Sequence, residues 1–173
     1  MPSPTLSGFE HRLVVGMAEV VVSNNPGVTL ATYSLGSCLG VSIYDPVTRV
    51  GGLIHIMLPD SSIAPEKARV QPAMFLVTGL PRLFQSAYQM RLDKHRAQIC
   101  VAGGGQILDS QGVFNIGQRN YAALAVLLQR HGLHIAAQDV GGMVNRTMYL
   151  RLATGEVRLK VSGQPVETLL WKT

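Results

Sequence analysis

The chain has 173 residues, 47% of them apolar and 6% aromatic, and a net charge of +5. This length fits one domain, and the apolar content is too high for an intrinsically disordered chain. The positive charge fits an acidic partner surface, but no run of Lys and Arg is interleaved with aromatic residues. The composition therefore predicts a single folded domain and does not favour a nucleic-acid partner.

The number of cysteines and the hydropathy of the sequence indicate the cellular compartment in which the protein is expected. The two cysteines, Cys38 and Cys100, are too few for a disulfide framework. No segment approaches the roughly 20 apolar residues that cross a bilayer, and the N-terminal sequence lacks the apolar centre of a signal peptide. We expect a cytoplasmic protein without membrane insertion.

The first part of the chain is predicted to consist of strands. Residues 1–11 contain two prolines and small polar residues, and they are expected to form a flexible arm ahead of one domain over residues 12–173. Residues 12–22 are rich in valine and predict a strand. A turn at 24–27 (Asn-Asn-Pro-Gly) leads into a second predicted strand over 28–33.

The rest of the chain contains both helices and strands. Apolar residues at helical spacing predict helix within 65–91, where Pro72 and Pro81 start or bend it. Residues 117–131 predict a second helix, which Gly132 ends. Further strands are predicted over 98–102, 133–140, 147–153 and 156–161. This order predicts an α+β fold with hairpin-linked strands and two main helices.

A predicted hairpin carries the first candidate site. Strands over 39–44 and 50–57 flank a turn at 45–48 (Asp-Pro-Val-Thr). In the register that this turn favours, Cys38 lies directly opposite His55, about 4.5–5.5 Å away and on the same face. A bulge or an odd loop length would shift this register by one residue. The pattern therefore predicts a thiol beside an imidazole.

Such a pair supports nucleophilic catalysis. A thiol with a pKa of about 8.5 is mostly protonated at neutral pH, and an imidazole takes up its proton to give the thiolate nucleophile. Gly36 and Gly40 leave open space, and the N–H groups of Ser37 and Cys38 are candidate donors to an oxyanion. From the hairpin alone, a core cysteine beside a structural histidine remains the alternative.

Three consecutive glycines, Gly103–Gly105, follow a predicted strand. They lack the spacing of a dinucleotide-binding motif and the Lys-Ser/Thr pair of a P-loop, so a turn at the mouth of the active site is favoured. Gly103 and Gly104 therefore join Gly36 and Ser37 as candidate residues of an oxyanion or substrate loop. The remaining histidines show no metal-ligand spacing with the cysteines, and no metal site is predicted.

Three motifs cover the candidate site: TYSLGSCLGV at 32–41, Asp-Pro at 45–46 and GGLIHIMLP at 51–59. At this spacing they resemble the CheD family, the chemoreceptor glutamine deamidases of bacterial and archaeal chemotaxis. Shorter matches lie at 24–27, 102–105, 115–120 and 139–142. The resemblance spans about residues 14–161.

The resemblance implies a catalytic trio: Cys38 as nucleophile, His55 as base and Thr32 as the residue that orients His55. In the family mechanism the cysteine attacks the side-chain carboxamide of a receptor glutamine, ammonia leaves, and water hydrolyses the resulting thioester to glutamate. Neither a metal nor an organic cofactor is implied. Without the resemblance, Thr32 would be an ordinary strand residue.

The resemblance also implies a fold and partners. The fold is that of cysteine hydrolases shared with deamidating toxins, in which packed mixed β-sheets are flanked by helices. The partners are the cytoplasmic domains of methyl-accepting chemoreceptors and, in some organisms, a CheC-type phosphatase. The alternative function is a non-catalytic adaptor that binds either partner. The chain departs from the family pattern at Tyr33-Ser34 and within 143–146, where glycines are expected.

Overall fold

The structure, a computed structural model, describes residues 10–109 and 111–173. The strands are β1 (His11–Val14), β2 (Val20–Ser23), β3 (Val28–Leu35), β4 (Leu39–Tyr44), β5 (Gly51–Ile56), β6 (Gln98–Gly103), β7 (Ile135–Val140), β8 (Arg146–Arg151), β9 (Val157–Val161) and β10 (Thr168–Trp171). The helices are α1 (Pro65–Val70), α2 (Leu76–Gln89) and α3 (Ile116–Arg130). In these ranges, no helix has the length and apolar character needed to cross a membrane.

The strands form two five-stranded sheets. The first sheet has the order β1-β3-β8-β9-β10, and the second has the order β2-β5-β4-β6-β7. The pairs β1–β3 and β6–β7 are parallel, and the other neighbours are antiparallel. The predicted α+β fold with mixed sheets flanked by helices is confirmed.

The two sheets and the helices form three layers, as the buried residues on opposite faces of the second sheet show. In the second sheet, Leu39 and Ile54 belong to a buried apolar cluster that includes the inner faces of α2 and α3. Leu53, next to Ile54, belongs to a second cluster with Leu30 of the first sheet. Because successive strand residues point to opposite faces, His55 lies on the Leu53 side, between the sheets.

Several predicted elements are confirmed with small shifts. The predicted helix 117–131 is α3, and Gly132 after it has a φ of +65° as expected of a residue that ends a helix. The segment predicted as helical over 65–91 contains α1, a 3₁₀ turn that begins at Pro72, and α2, which has Pro81 inside it. The C-terminal strand β10 was not predicted.

The single strand predicted over 12–22 is wrong, because the chain changes sheets within it. β1 belongs to the first sheet and β2 to the second. Between them Ala18 has a φ of +59°, and the Glu19 carboxylate accepts the N–H of Gly16. This turn ends a run of valines that otherwise favours one strand. Residues 1–9 of the expected arm, which was predicted over residues 1–11, lie outside the described residues. His11 is the first residue of β1.

The predicted register of the β4–β5 hairpin is also wrong. Tyr44 pairs with Gly51, so the register shifts by two residues and Gly40, not Cys38, lies opposite His55. The loop lies one residue further along the chain than expected, at 46–49, because the Asp45 N–H donates to the Val50 carbonyl at 2.9 Å. The Asp45 carboxylate also accepts two hydrogen bonds from Arg96, which is distant in sequence.

Candidate active site

His55 is buried between the sheets and contacts Thr32 of the opposite sheet. Its Nδ1 lies 2.7 Å from the Thr32 hydroxyl oxygen. The facing residue on β4 is Gly40, where an added Cβ would lie 2.8 Å from Leu35 Cδ1 and 3.4 Å from Thr32 Cγ2. A glycine at this position therefore leaves the space in which the imidazole reaches across to Thr32.

The hydrogen bonds of Thr32 determine which nitrogen of His55 is protonated. The Thr32 hydroxyl also lies 2.7 Å from the carbonyl oxygen of Val15. A carbonyl only accepts, so the single hydroxyl proton goes to Val15, and Nδ1 of His55 must donate its proton to Thr32. The lone pair is then on Nε2, which is buried and has no hydrogen-bond partner among residues 10–109 and 111–173. His55 is therefore held in the tautomer that a base requires.

The crossover between β1 and β2 also fixes the backbone of His55. The His55 carbonyl accepts the N–H of Ala18 at 3.0 Å, and the His55 N–H donates to the Glu19 carbonyl at 3.1 Å. Val15, the acceptor of the Thr32 hydroxyl, lies in the same crossover. One segment thus positions both the imidazole and the side chain that orients it.

Burial sets the charge states of His55 and Cys38. It lowers the pKa of His55 to about 4, so the imidazole is neutral at pH 7. Burial also raises the pKa of the Cys38 thiol, and the residue's own backbone N–H partly offsets this increase. At neutral pH the two groups are therefore a thiol and a neutral imidazole, so His55 can accept a proton when the sulfur attacks.

Cys38 lies in the bend between β3 and β4 and is held by the triple-glycine segment behind it. The Cys38 carbonyl accepts the N–H of Gly104 at 2.9 Å, and the Gly36 carbonyl accepts the N–H of Gly105 at 2.7 Å. Gly103 has a φ of +110°, and a Cβ there would lie 2.1 Å from the Cys38 carbonyl oxygen. Only glycine fits this close approach.

Cys38 lies just before β4 and has no direct pairing partner on β5. Because Gly40 faces His55 and side chains alternate, Cys38 precedes by two residues the position directly opposite the histidine. Diagonal positions in a regular ladder are about 7–8 Å apart. The structure contains no hydrogen bond between the Cys38 sulfur and His55 Nε2. Long catalytic contacts are usual before substrate binds.

A cavity of about 430 Å³ opens beside Cys38. Gly36 and Ser37 line it together with Ile116 and Gly117 of the first turn of α3. Gly103 and Gly104, which were predicted for the same loop, support Cys38 from behind and are not part of the lining. The remaining lining residues are Ser34, Gly105, Gln106, Ile107, Leu108, Asp109, Phe114 and Asn145.

Two backbone N–H groups beside this cavity take no part in backbone pairing among the described residues. The N–H groups of Ser37 and Cys38 donate to no carbonyl within the described part of the chain. In contrast, the N–H of Gly36 donates to Ser34 and that of Gly104 donates to Cys38. Of the predicted loop residues, Ser37 therefore keeps a free donor, whereas Gly36 and Gly104 do not.

Comparisons with known proteins place the chain in a family. Residues 57–161, more than half of the chain, match the family model described as CheD chemotactic sensory transduction. A protein of Syntrophus aciditrophicus named "Probable chemoreceptor glutamine deamidase CheD 1" is 43% identical over 157 residues, covering 91% of this chain and 98% of its own. This chain belongs to the CheD family.

Two more relatives carry the same name without a number. The Solibacter usitatus protein is 42% identical to this CheD chain over 157 residues, covering 91% of this chain and 93% of its own. The Pyrococcus abyssi protein is 36% identical over 161 residues, covering 91% and 97%. The predicted resemblance to the CheD family is confirmed.

Both departures of this CheD chain from the family pattern lie at the cavity, since Ser34 and Asn145 line it. Ser34 has a φ of +59°, a left-handed conformation that glycine adopts more easily than other residues. This conformation is the physical reason to expect a glycine in the Tyr33-Ser34 pair. The serine fits the same backbone at a cost of roughly 1 kcal/mol.

Asn120 of α3 was not predicted as a site residue. It is fully buried, and its amide Nδ2 donates to the carbonyls of Ser37 and Met57, both at 3.0 Å. The signal was a polar residue at helical spacing with the buried Leu124 and Leu128. Asn120 lies in one of the shorter matches to the CheD family, at 115–120, to which no role was assigned.

Proposed function

We propose that this CheD chain deamidates glutamine side chains of chemoreceptors, with Cys38 as the nucleophile. The observation that carries the proposal is His55, a neutral buried imidazole whose Nε2 is left without a partner because Thr32 engages Nδ1. The relatives named as probable chemoreceptor glutamine deamidases supply the substrate class.

The proposed reaction has two halves. In the first, Cys38 Sγ bonds to the carboxamide carbon, Nε2 of His55 takes the thiol proton, and the proton then passes to the nitrogen, which leaves as ammonia. In the second, His55 takes a proton from water, the hydroxide adds to the thioester carbon, and the sulfur leaves as the thiol. The products are glutamate and ammonia. The hydrogen bond from Nδ1 to Thr32 stabilises the imidazolium that forms in each half.

The negative charge on the carboxamide oxygen requires donors. We assign to it the N–H groups of Ser37 and Cys38, which pair with no carbonyl of the described residues. The first turn of α3 also lines the cavity, and the partial positive charge of a helix N-terminus favours both the thiolate and the oxyanion. Gly103 and Gly104 act through the position of Cys38 and donate nothing to the substrate.

The rim of the cavity is apolar and fits a protein substrate. Leu108 is 99% exposed and Phe114 is 67% exposed, and both line the cavity. Exposed apolar residues around a cleft mark sites of protein contact. We assign to this rim the residues that flank the target glutamine on the chemoreceptor, and we place the reaction in the cytoplasm. A CheC-type phosphatase, if one is present, would compete with the chemoreceptor for the same rim.

Mass spectrometry of chemoreceptor cytoplasmic fragments tests this proposal. After incubation with the protein, specific glutamines should gain about 1 Da, with one ammonia released for each modified glutamine. The matched control is Cys38→Ala. A non-catalytic adaptor would bind the fragments without changing any glutamine mass, and that outcome would refute the enzymatic proposal.

A further inference from the structure

Asn120 joins two segments that no strand pairing holds together. Its amide nitrogen donates to the carbonyl of Ser37, which precedes the nucleophile, and to that of Met57, which follows His55 by two residues. β4 begins at Leu39 and β5 ends at Ile56, so both carbonyls lie just past the end of the ladder. The amide therefore provides the link where the hydrogen bonds between the strands stop.

The orientation of this amide is fixed by its partners. Both partners are carbonyls, which only accept hydrogen bonds, so Nδ2 must face them. The Asn120 side chain is fully buried on a helix face whose other large members are Leu124 and Leu128. A leucine would fill such a position without leaving a polar group to satisfy. The two hydrogen bonds are the physical reason for an asparagine here.

We propose that Asn120 is a positioning residue that sets the separation of Cys38 and His55. This inference rests on the proposed function. Cys38 lies outside both strands, and its distance from the base depends on where the Ser37 carbonyl is held relative to the end of β5. Misplacement of reacting groups by about 1 Å reduces a catalytic rate on the order of 100-fold. Asn120 itself does not line the cavity, and its amide nitrogen donates to backbone carbonyls only.

The kinetic test compares Asn120→Leu with Leu128→Ala, a variant of the same buried helix face two turns away. With chemoreceptor fragments, Asn120→Leu should lower kcat roughly 10–100-fold and leave KM within about twofold. Leu128→Ala should keep the parent kcat at temperatures well below its melting midpoint. An equal loss of kcat in the two variants would show that Asn120 acts only through stability, and the inference would be wrong.

A second measurement needs no chemoreceptor. The pH dependence of Cys38 alkylation by iodoacetamide reports whether an imidazole assists the thiol. The Asn120→Leu profile should match that of His55→Gln, whereas the Leu128→Ala profile should match the parent. If Asn120→Leu does not fold, Asn120→Ser, which keeps one donor, should give an intermediate profile. Parent-like alkylation in folded Asn120 variants would overturn the inference, whether or not chemoreceptor glutamines prove to be the substrate.

Discussion

Cys38 and Cys100 are both free cysteines, and their surroundings differ in exposure, local structure and neighbouring groups. Cys100 lies within β6, packs between the two sheets and is 1% exposed. Burial raises the pKa of its thiol to about 12. Cys38 lies in a bend, lines a cavity of about 430 Å³ and is two strand positions from the residue that faces His55.

Thiol acidity alone does not separate the two sites, because burial raises the pKa of both cysteines. What Cys38 has in addition is access to the cavity, N–H groups beside it that pair with no carbonyl of the described residues, and a neutral imidazole whose tautomer is fixed by Thr32. The reactivity that we propose for Cys38 therefore depends on its neighbours. Variants that remove those neighbours one at a time should show how much each contributes.

Replacing each cysteine by alanine should give the largest difference in deamidation rate. Cys38→Ala removes the nucleophile, so deamidation should fall by at least about 10³-fold while the protein remains folded. Cys100→Ala removes only a core sulfur, so the rate should stay within about twofold of the parent. The measurement is the initial rate of ammonia release from chemoreceptor fragments. Loss of activity in Cys100→Ala with a retained fold would reverse the comparison.

Replacement of His55 should make Cys38 resemble Cys100 in reactivity. His55→Gln removes the proton acceptor, and kcat should decrease roughly 10²–10⁴-fold. The matched control is His131→Gln, at the exposed end of α3, which should leave kcat unchanged. The rates are measured with the same receptor fragments at pH 7. A His55→Gln protein with parent kcat would mean that another group accepts the thiol proton.

The triple-glycine segment offers a test of how Cys38 is held. Gly103→Ala places a Cβ 2.1 Å from the Cys38 carbonyl oxygen in a conformation that alanine rarely adopts. We expect kcat to fall about 10²-fold and the free energy of unfolding to fall by roughly 2 kcal/mol. Gly132 also has a positive φ, of +65°, but an added Cβ there would meet open space.

Gly132→Ala should therefore lower the free energy of unfolding by about 1 kcal/mol and leave kcat intact. Chemical denaturation and receptor-fragment kinetics of the two variants separate the effects. Equal kcat values would show that the approach of Gly103 to Cys38 does not affect the reaction.

Thr32→Val should have a smaller effect on rate. The valine keeps the shape of the side chain but removes the oxygen that accepts the proton of His55 Nδ1. The imidazole then loses its preferred tautomer, and kcat should fall roughly 10–100-fold. Thr32→Ser should restore most of the rate. Thr29→Val, on the same strand but bonded to Glu10, is the control that should not change kcat.

The smallest effect concerns stability and pH. Because the pKa of His55 is about 4 in the folded chain and about 6.5 when unfolded, the unfolded state binds more protons between these values. Protonation of His55 in the unfolded state has no effect on the free energy of unfolding above pH 6.5. As the pH falls from 6.5 toward 4, it lowers this free energy by up to about 3 kcal/mol. His55→Gln lacks this effect. Denaturation curves at pH 4.5 and 7 should therefore differ less in the variant, and parallel behaviour of the two proteins would contradict the low pKa.

Local patterns predicted the elements better than they predicted the register. The helix over 117–131 and its end at Gly132 follow from spacing and a single glycine. The position of the hairpin loop could not be predicted, because Asp45 is also bonded to Arg96, which is far away in sequence. Cys38 is therefore not the residue that pairs directly with His55.

Contacts between sheets were the other feature that local patterns missed. Thr32 was assigned from the family resemblance, and its contact with His55 crosses from one sheet to the other. The split of the first valine run into β1 and β2 creates the crossover that holds both residues. Asn120 reaches the site from α3. Such contacts depend on how the layers pack, which no periodicity within one segment encodes.

We propose above all that Cys38, and not Cys100, bonds to the substrate carbon with the help of His55. A chemoreceptor peptide whose target glutamine carries a chloromethyl ketone in place of the carboxamide tests it, because the adduct is stable and can be mapped by peptide mass spectrometry. We predict one adduct per chain, located on Cys38 and formed at least about tenfold more slowly in His55→Gln. An adduct on Cys100, or labelling of Cys38 at the same rate without His55, would contradict the account.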